Sequence, residues 1–196
     1  ELDFIVRDQI HWTGPDADAG EGWSPLAKVK KEARGRRFGV LNFTAEQVRR
    51  AQALAPIPSL QPPYSIVSPE IEDAILPYAR ENGIGVIAYS PMKSGLLTGT
   101  MTKERFDNLP PDDFRKRAPA FQEPSLSRNL AIVDTLREIG NRHGRTPGEV
   151  AIAWTLRRPE VTAAIVGLRS PAQVDGVIGA LEFRLSDAEI AEIGDR

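Results

Sequence analysis

The sequence predicts an α/β fold in which a parallel sheet is covered by helices. Strand and helix patterns alternate five times along the 196 residues, mostly with short connections between them. The run Val86-Ile87-Ala88 is short and apolar, which is typical of a strand buried on both faces. From this pattern alone, an open doubly wound sheet and part of a (β/α)8 barrel both remain possible.

Up to residue 83, the chain contains three predicted strands and three predicted helices. The strands are predicted over residues 3–12, 37–41 and 57–61. The helices are predicted to begin at Ser24-Pro25, Thr44 and Ser68-Pro69, where a hydroxyl can cap the first turn. Pro77 lies inside the third of these helices and should kink it, because proline has no N–H and collides with the preceding turn.

The rest of the chain contains two more strands, four helices and one long polar segment. The strands are predicted over residues 86–88 and 161–166, and the helices over residues 126–143, 146–158, 170–181 and from 186 onward. Capping boxes are predicted where Ser or Thr precedes Glu or Gln by three residues, at Thr44, Thr146 and Ser170. Residues 100–124 are rich in Pro, Asp and Arg, and we expect a long loop there at the rim of the sheet.

The composition excludes several classes of function. The net charge is -2, so nothing favours a nucleic-acid or membrane partner. Without cysteine and with only two histidines, the sequence predicts no disulfide and no metal site. It contains no GxGxxG, P-loop or GxSxG motif. No signal peptide or membrane-spanning run is evident, so we expect a soluble, cytoplasmic protein.

Three successive predicted strands end in residues suited to ligand recognition. These residues are Asn42, Gln61 and Tyr89. Parallel strands have their carboxyl ends at one edge of the sheet, which is where α/β folds bind ligands. An amide offers both a donor and an acceptor, which suits recognition of another amide. The alternative interpretation is that each side chain only satisfies the backbone of its own loop.

The segment from Gly167 to Gln173 has the features of a phosphate site. Gly167 allows a turn, and Ser170 then opens a helix whose free N–H groups and dipole favour an anion. Arg169 lies beside this helix start and can form two hydrogen bonds to one phosphate. The alternative is an ordinary capped helix with a solvated arginine.

Other basic residues are weaker candidates. His11 ends the first strand, where it could donate a proton or bind substrate, although a lone histidine is more often structural. The run Arg115-Lys116-Arg117 could face phosphates across the rim, although such a run is usually a solvated loop.

Several segments together resemble the aldo-keto reductases, in the order in which that family has them. The segments are QIHW (9–12), GVLNF (39–43), LQPPYS (60–65), IAYSPMKSGLLTG (87–99), RTPGEVAIAWTLRRPEV (145–161) and VGLRSPAQV (166–174). In this resemblance they correspond to the fourth to eighth strands of a (β/α)8 barrel and the loops that follow them. The resemblance extends over essentially the whole chain.

The resemblance implies an enzyme that reduces aldehydes or ketones with NADP(H), or less often with NAD(H). It makes His11 the active-site histidine that orients the carbonyl, and it places the nicotinamide on Asn42, Gln61 and Tyr89. The residues that it assigns to the pyrophosphate are Ser90, Pro91, Met92, Ser94 and Gly95. Those that it assigns to the adenosine end, with any 2′-phosphate, are Gly167, Arg169 and Gln173.

The chain also departs from the family pattern. Leu41 stands where serine is usual, and Val177 stands where an asparagine often contacts adenine. The tyrosine, lysine and aspartate of the family's catalytic site precede its fourth strand, and no residue of this chain corresponds to them. The resemblance therefore predicts an incomplete barrel of five strand–helix units, forming one domain over residues 1–196.

Such a chain should be inactive on its own, and its exposed strand edges should promote self-association. The expected partner is otherwise a small carbonyl substrate. The alternative function is a nucleotide-binding or regulatory module without turnover on the same scaffold.

Overall fold

The computed structural model describes residues 5–11, 23, 25, 28 and 35–194. The chain divides into two compact units. The first unit takes its residues from Glu1–Tyr64, Glu70–Tyr89 and Pro159–Ala163, and the second from Ser65–Pro69, Ser90–Arg158 and Ala164–Arg196. The predicted helix at Ser24-Pro25 falls largely outside the described residues, of which Trp23, Pro25 and Lys28 are helical.

Within the described residues, five strands form one sheet in the order in which they occur along the chain. They are β1 (Ile5–Ile10), β2 (Gly35–Leu41), β3 (Ser59–Gln61), β4 (Gly85–Tyr89) and β5 (Val161–Ile165). The pairings from β1 to β4 are all parallel. A doubly wound sheet reverses its strand order at a switch point, whereas a barrel adds every strand on the same side of the last one. The order therefore favours the barrel-like alternative.

Helices follow the strands as the alternating pattern predicts. The α-helices are α1 (Ala45–Leu54), α2 (Ile75–Glu81), α3 (Lys103–Asp107), α4 (Ser125–His143), α5 (Pro147–Thr155), α6 (Pro171–Ile178) and α7 (Asp187–Gly194). Short 3₁₀ helices occupy Glu70–Glu72, Leu96–Thr98, Phe114–Lys116, Pro119–Phe121 and Gly179–Leu181. No helix among the described residues is long and apolar enough to cross a membrane.

Two of the predicted capping boxes form as expected. The Thr44 N–H donates to Gln47 Oε1 at 2.8 Å, and the Gln47 N–H donates to Thr44 Oγ1 at 3.2 Å. The same reciprocal pair joins Thr146 and Glu149, with distances of 2.7 and 3.1 Å. Both boxes satisfy backbone donors that have no acceptor within the helix, which fixes where α1 and α5 begin.

The expected kink at Pro77 is wrong, because the helix begins later than predicted. α2 starts at Ile75, so Pro77 is its third residue. N–H groups in a first turn have no acceptor inside the helix, so a proline there costs no hydrogen bond. The residues after Ser68-Pro69 form a separate 3₁₀ turn, in which Ile71 is buried.

Residues 100–124, predicted as a long rim loop, contain short helices and a small core of their own. α3 and two 3₁₀ helices lie within the segment. The rings of Phe106 and Phe121 stack with centroids 6.2 Å apart. Met101 and Phe121 are buried against Leu96 and Leu126. Packing of this kind gives the polar segment a defined conformation within the second unit.

The first unit buries an apolar layer on its strands. Val40, Leu60, Val86 and Ala88 are at most 1% exposed. Burying each of the larger side chains contributes about 1.5–3 kcal/mol, which orders the strands relative to one another. Ile87 is only half-buried, so β4 is not buried on both faces as expected.

The last strand and the helix after it expose apolar side chains. In β5 only Val161 is buried. This strand is at the end of the sheet order, so among the described strands it has a neighbour on one side only. None of the residues of α6 is buried. The exposed apolar side chains in this stretch are Ile165, Leu168, Val174, Ile178 and Leu181.

Candidate functional site

Asn42 is the central residue of the candidate site in the first unit. It directly follows β2 and adopts a left-handed backbone conformation with φ of 55°. Its Nδ2 donates to the backbone oxygen of His11 at 3.2 Å. Its Oδ1 accepts a hydrogen bond from the Tyr89 hydroxyl at 2.8 Å. The Asn42 amide therefore links the carboxyl ends of three different strands.

Gln61 is the last residue of β3 and joins the same group through the backbone. The Asn42 N–H donates to the Gln61 carbonyl oxygen at 3.3 Å. Leu41 and Gln61 are register partners, so the two chain segments end at the same level. The structure thus brings Asn42, Gln61 and Tyr89 together with the backbone of His11 at the carboxyl ends of β1–β4.

The Tyr89 hydroxyl is held in its protonated form. Burial raises the pKa of Tyr89 above its ordinary value, because a phenolate would lose hydration. A protonated hydroxyl can donate to Asn42, as observed. This bond fixes which way the amide points, so Nδ2 and Oδ1 are assigned by their partners.

The side-chain amide of Asn42 can still form hydrogen bonds to a ligand through both its nitrogen and its oxygen. A carboxamide has two N–H donors and two oxygen lone pairs, and the observed bonds engage one of each. Another amide, presented in the plane of the first, could pair with the remaining donor and acceptor. The side chain of His11, which directly follows the neighbouring strand β1, is exposed.

The loop after β4 belongs to the second unit and has an uncommon backbone. Ser90, Lys93 and Ser94 adopt positive φ values of 56°, 44° and 54°, followed by Gly95 at 88°. A left-handed conformation costs a non-glycine residue about 1–2 kcal/mol, and such strain often marks a ligand site. The loop is anchored where Lys93 Nζ donates to Ser68 Oγ at 2.5 Å.

The remaining residues of this loop divide between core and surface. Pro91 is buried, and Met92 is half-buried. The Gly95 N–H donates to the Met92 carbonyl at 3.1 Å. Ser94 is exposed. The candidate pyrophosphate residues thus form one tight turn that presents hydroxyl and backbone groups.

The helix start at Ser170 differs from its prediction. Ser170 makes no side-chain cap bond, so the expected capping box is wrong. Gln173 Oε1 accepts instead from the Arg169 N–H at 2.6 Å, one residue earlier than a capping box requires. The Ser170 hydroxyl therefore does not engage the first N–H groups of α6. Gly167, Arg169 and Gln173 are all exposed on this surface.

Asp113 is a residue that the sequence analysis missed. Its carboxylate accepts from Arg115 Nε at 2.9 Å and from Arg115 Nη2 at 2.6 Å. These hydrogen bonds are the main reason that the pKa of Asp113 is lowered to about 2, and the charge of Arg169 adds to the effect. The spacing of an aspartate and an arginine two residues apart does not show whether their side chains meet, so the sequence analysis could not find this pair.

The basic run after Asp113 is tied to its own segment. Arg115 is paired with Asp113. Lys116 Nζ donates to the Asp107 carbonyl at 2.9 Å and lies 4.8 Å from the centre of the Phe106 ring. These contacts agree with the structural interpretation of the run. Among the described residues, no cluster of histidine, aspartate and glutamate could hold a metal ion.

The sequence model of the Aldo/keto reductase family matches residues 8–195. The chain belongs to this family, and the resemblance deduced from its motifs is confirmed. It has the TIM-barrel-like fold of the family, with a parallel sheet of five strands covered by helices.

Relatives of known name support the same conclusion. The chain is 33% identical over 195 residues to Aldo-keto reductase YhdN of Bacillus subtilis, covering 98% of the chain and 58% of the relative. It is 33% identical to Aldo-keto reductase yakc [NADP(+)] of Schizosaccharomyces pombe, covering 98% of the chain and 57% of that protein. The chain therefore spans little more than half the length of these relatives.

Two solved structures share the fold. The glycerol dehydrogenase AKR11B4 from Gluconobacter oxydans is 33% identical and superposes with a TM-score of 0.90, over 99% of this chain and 58% of that one. The thermostable aldo-keto reductase Tm1743, in complex with the inhibitor epalrestat, gives a TM-score of 0.73 over 98% of this chain and 60% of its own. At 24% identity, the second likeness concerns the fold alone.

Proposed function

We propose that this chain binds NADP(H) for a reductase that converts aldehydes or ketones to alcohols. The observation that carries the proposal is the Asn42 amide, which is oriented by the Tyr89 hydroxyl and the His11 carbonyl at the ends of parallel strands. Membership of the aldo-keto reductase family makes a nicotinamide the ligand that such an amide would recognise.

The residues of the first unit fit the nicotinamide end of the cofactor. Asn42 has one amide donor and one acceptor left for the carboxamide, and Gln61 ends the adjacent strand. Tyr89 offers an aromatic face whose hydroxyl is already engaged. Together, these groups would bind the carboxamide and hold the ring in one orientation, which is the protein's main contribution to a cofactor reaction.

The residues of the second unit fit the phosphates. Ser90, Pro91, Met92, Ser94 and Gly95 would line the pyrophosphate. Arg169 precedes α6, where free N–H groups and the helix dipole favour an anion. Gly167, Arg169 and Gln173 would bind the adenosine end, with the guanidinium on a 2′-phosphate.

The preference for NADP(H) over NAD(H) rests mainly on Arg169. A 2′-phosphate distinguishes the two cofactors, and a guanidinium matches it with two parallel hydrogen bonds. The name of the Schizosaccharomyces pombe relative includes NADP(+), which supports the same choice. The ionised carboxylate of Asp113, whose pKa the charge of Arg169 helps to lower, would limit how many anionic groups this surface attracts.

When bound, the cofactor supplies the hydride. His11 would donate a hydrogen bond to the oxygen of a small carbonyl substrate and orient it. Family resemblance assigns the proton donor to a tyrosine that has no counterpart among these 196 residues. We therefore expect this chain by itself to bind NADPH without reducing carbonyls.

The catalytic part of this proposal is tested with the protein that the gene encodes. The assay measures how fast that protein oxidises NADPH when a carbonyl compound is present. We expect His11→Ala to lower the rate at least tenfold while NADPH still binds. The control is His143→Ala, because His143 ends α4 and pairs with Glu189 in the second unit. Equal rates for His11→Ala and the unchanged protein would refute the role of His11. NADPH binding without oxidation by any aldehyde or ketone would favour a nucleotide-binding module.

A further inference from the structure

Lys93, in the loop after β4, has a backbone conformation that a lysine rarely adopts. Its φ is 44°, in the left-handed region, and Ser94 and Gly95 follow it with φ of 54° and 88°. In this region the Cβ of an L-residue lies too close to a carbonyl oxygen, so other contacts must hold the chain there. We therefore looked for the contacts that hold this turn in place.

Apolar packing within the second unit holds the two ends of the turn. Leu96 and Leu97, which follow the turn, are fully buried. Met92 packs against the start of α5, because a Cβ added at Gly148 would lie 3.3 Å from the Met92 sulfur. Ser94, in the middle of the turn, is exposed, so this packing does not enclose it.

A polar contact to Ser68 holds the outer part of the turn. Lys93 Nζ donates to Ser68 Oγ at 2.5 Å, and both residues are half-buried. Ser68 is fixed in turn by an antiparallel bridge, in which its N–H donates to the Ser65 carbonyl at 3.0 Å and its carbonyl accepts from the Ser65 N–H at 3.3 Å. Ser65 is only 1% exposed. The lysine thus ties the turn to a well-ordered segment of the same unit, 25 residues earlier in the chain.

We propose that Lys93 is a positioning residue for the pyrophosphate of the cofactor, and that it acts through its hydrogen bond to Ser68. The inference rests on the proposed function, in which this turn lines the pyrophosphate. The Ser94 N–H has no backbone acceptor among the described residues, so it can donate to an anion. A turn that is ordered before the cofactor arrives loses less conformational entropy on binding, and the affinity is higher for that reason.

The bond to Ser68 distinguishes this role from a direct contact between the lysine and a phosphate. An ammonium has three donors, so Lys93 has others besides the one that Ser68 engages. If Lys93 bound a phosphate directly, loss of the Ser68 hydroxyl would leave the charge in place and would not weaken binding. If Lys93 acts by holding the turn, removal of either partner has the same consequence.

Cofactor titrations of the protein that the gene encodes test the positioning role. We expect Lys93→Met and Ser68→Ala each to raise Kd by about 3- to 12-fold, which is at most the low end for a charged hydrogen bond. NADPH and NADH should lose the same factor, because both contain the pyrophosphate, whereas Arg169→Ala should weaken NADPH alone. The double variant should bind no more weakly than Lys93→Met, because the two changes break one bond.

Two matched controls remove the same groups elsewhere in the second unit. Lys103 pairs with Asp107, and Ser127 donates to Glu123, both at exposed positions. Lys103→Met and Ser127→Ala should therefore leave both Kd values unchanged. Full affinity in Ser68→Ala together with weaker binding in Lys93→Met would show a direct phosphate contact and would overturn the positioning role.

Hydrogen exchange in the cofactor-free protein gives a second readout. The N–H groups of Lys93 and Gly95 donate to carbonyls of the turn at 2.9 and 3.1 Å, so their exchange rates report how well the turn is ordered. Ser68→Ala should accelerate the exchange of both groups, and unchanged rates would contradict the proposal. If the unaltered protein binds neither cofactor, the proposed function fails and the positioning role fails with it. If it binds both and the two variants bind equally well, the positioning role alone is refuted.

Discussion

Replacing Tyr89 by phenylalanine tests whether the Asn42 amide is oriented in advance of cofactor binding. The substitution removes the hydroxyl that donates to Asn42 Oδ1 at 2.8 Å and leaves the aromatic ring in place. A neutral hydrogen bond of this kind stabilises a protein by about 0.5–1.5 kcal/mol net. In a protein of this size, 1 kcal/mol lowers Tm by about 2–4 °C.

The same substitution should weaken NADPH binding. Without the hydroxyl, the amide of Asn42 can rotate, and fixing it again upon binding costs part of the affinity. If the whole hydrogen-bond energy is involved, Kd rises by about 2- to 12-fold. Fluorescence titration measures Kd, and urea denaturation measures the free energy of unfolding.

A control and a cycle make the result specific. Tyr78→Phe removes a longer hydrogen bond, at 3.3 Å to Gln52 Oε1, and should leave the Kd for NADPH unchanged. Asn42→Gly keeps the positive φ without strain and removes the acceptor. Tyr89→Phe and Asn42→Gly should therefore couple, with the double variant losing less than the sum. Unchanged stability and Kd in Tyr89→Phe would refute this account of the site.

Two further predictions concern the helices of the second unit. Burial alone would raise the pKa of Glu189, but hydrogen bonds from Ser186 and His143 outweigh it and lower the pKa to about 2. The ionised carboxylate thus stabilises the fold above about pH 4.5, and this contribution fades as the pH falls towards 2. In acid-denaturation curves, Glu189→Gln should flatten this pH dependence, and a parallel curve would be inconsistent with it. Thr146→Ala should cost about 1 kcal/mol in urea denaturation, whereas Ser170→Ala, which removes no cap bond, should cost far less.

The sequence predicted helix starts correctly where residues a few positions apart form the expected hydrogen bonds with one another. The box at Thr44 joins residues three apart, so the spacing alone predicts the start of α1. Pro77 shows the limit, because the same proline kinks a helix or opens one depending on where the helix begins. Ile71 is buried in a separate 3₁₀ turn before α2, and periodicity alone does not separate this turn from the helix.

The candidate site shows the same division. Asn42, Gln61 and Tyr89 could be predicted, because parallel strands bring their ends to one edge. The hydrogen bond between Asn42 and Tyr89 joins residues 47 positions apart and could not. Asp113 was missed because its pairing with Arg115 depends on side-chain orientation, which the sequence does not give. The orientation of the Gln173 side chain could not be predicted either. Its Oε1 accepts from the Arg169 N–H, so the capping box expected at Ser170 does not form.

The outer strands of the sheet lead to a prediction about self-association in solution. The two outer strands of the sheet order are β1 and β5, and apolar side chains such as Ile165 and Ile178 are exposed near the second of them. We propose that the 196-residue chain self-associates through these edges. Sedimentation of a single monomeric species at all concentrations would contradict this expectation.

The most direct test of cofactor binding is a titration of the 196-residue chain with NADPH and with NADH, followed by tryptophan fluorescence. We predict saturable NADPH binding that Arg169→Ala weakens by about 10- to 150-fold, as expected for a charged hydrogen bond, with little change for NADH. Arg137→Ala, which removes an exposed arginine paired with Asp134, should leave both affinities unchanged. A folded chain that binds neither cofactor, or an Arg169→Ala variant with unchanged NADPH affinity, would contradict the proposed function.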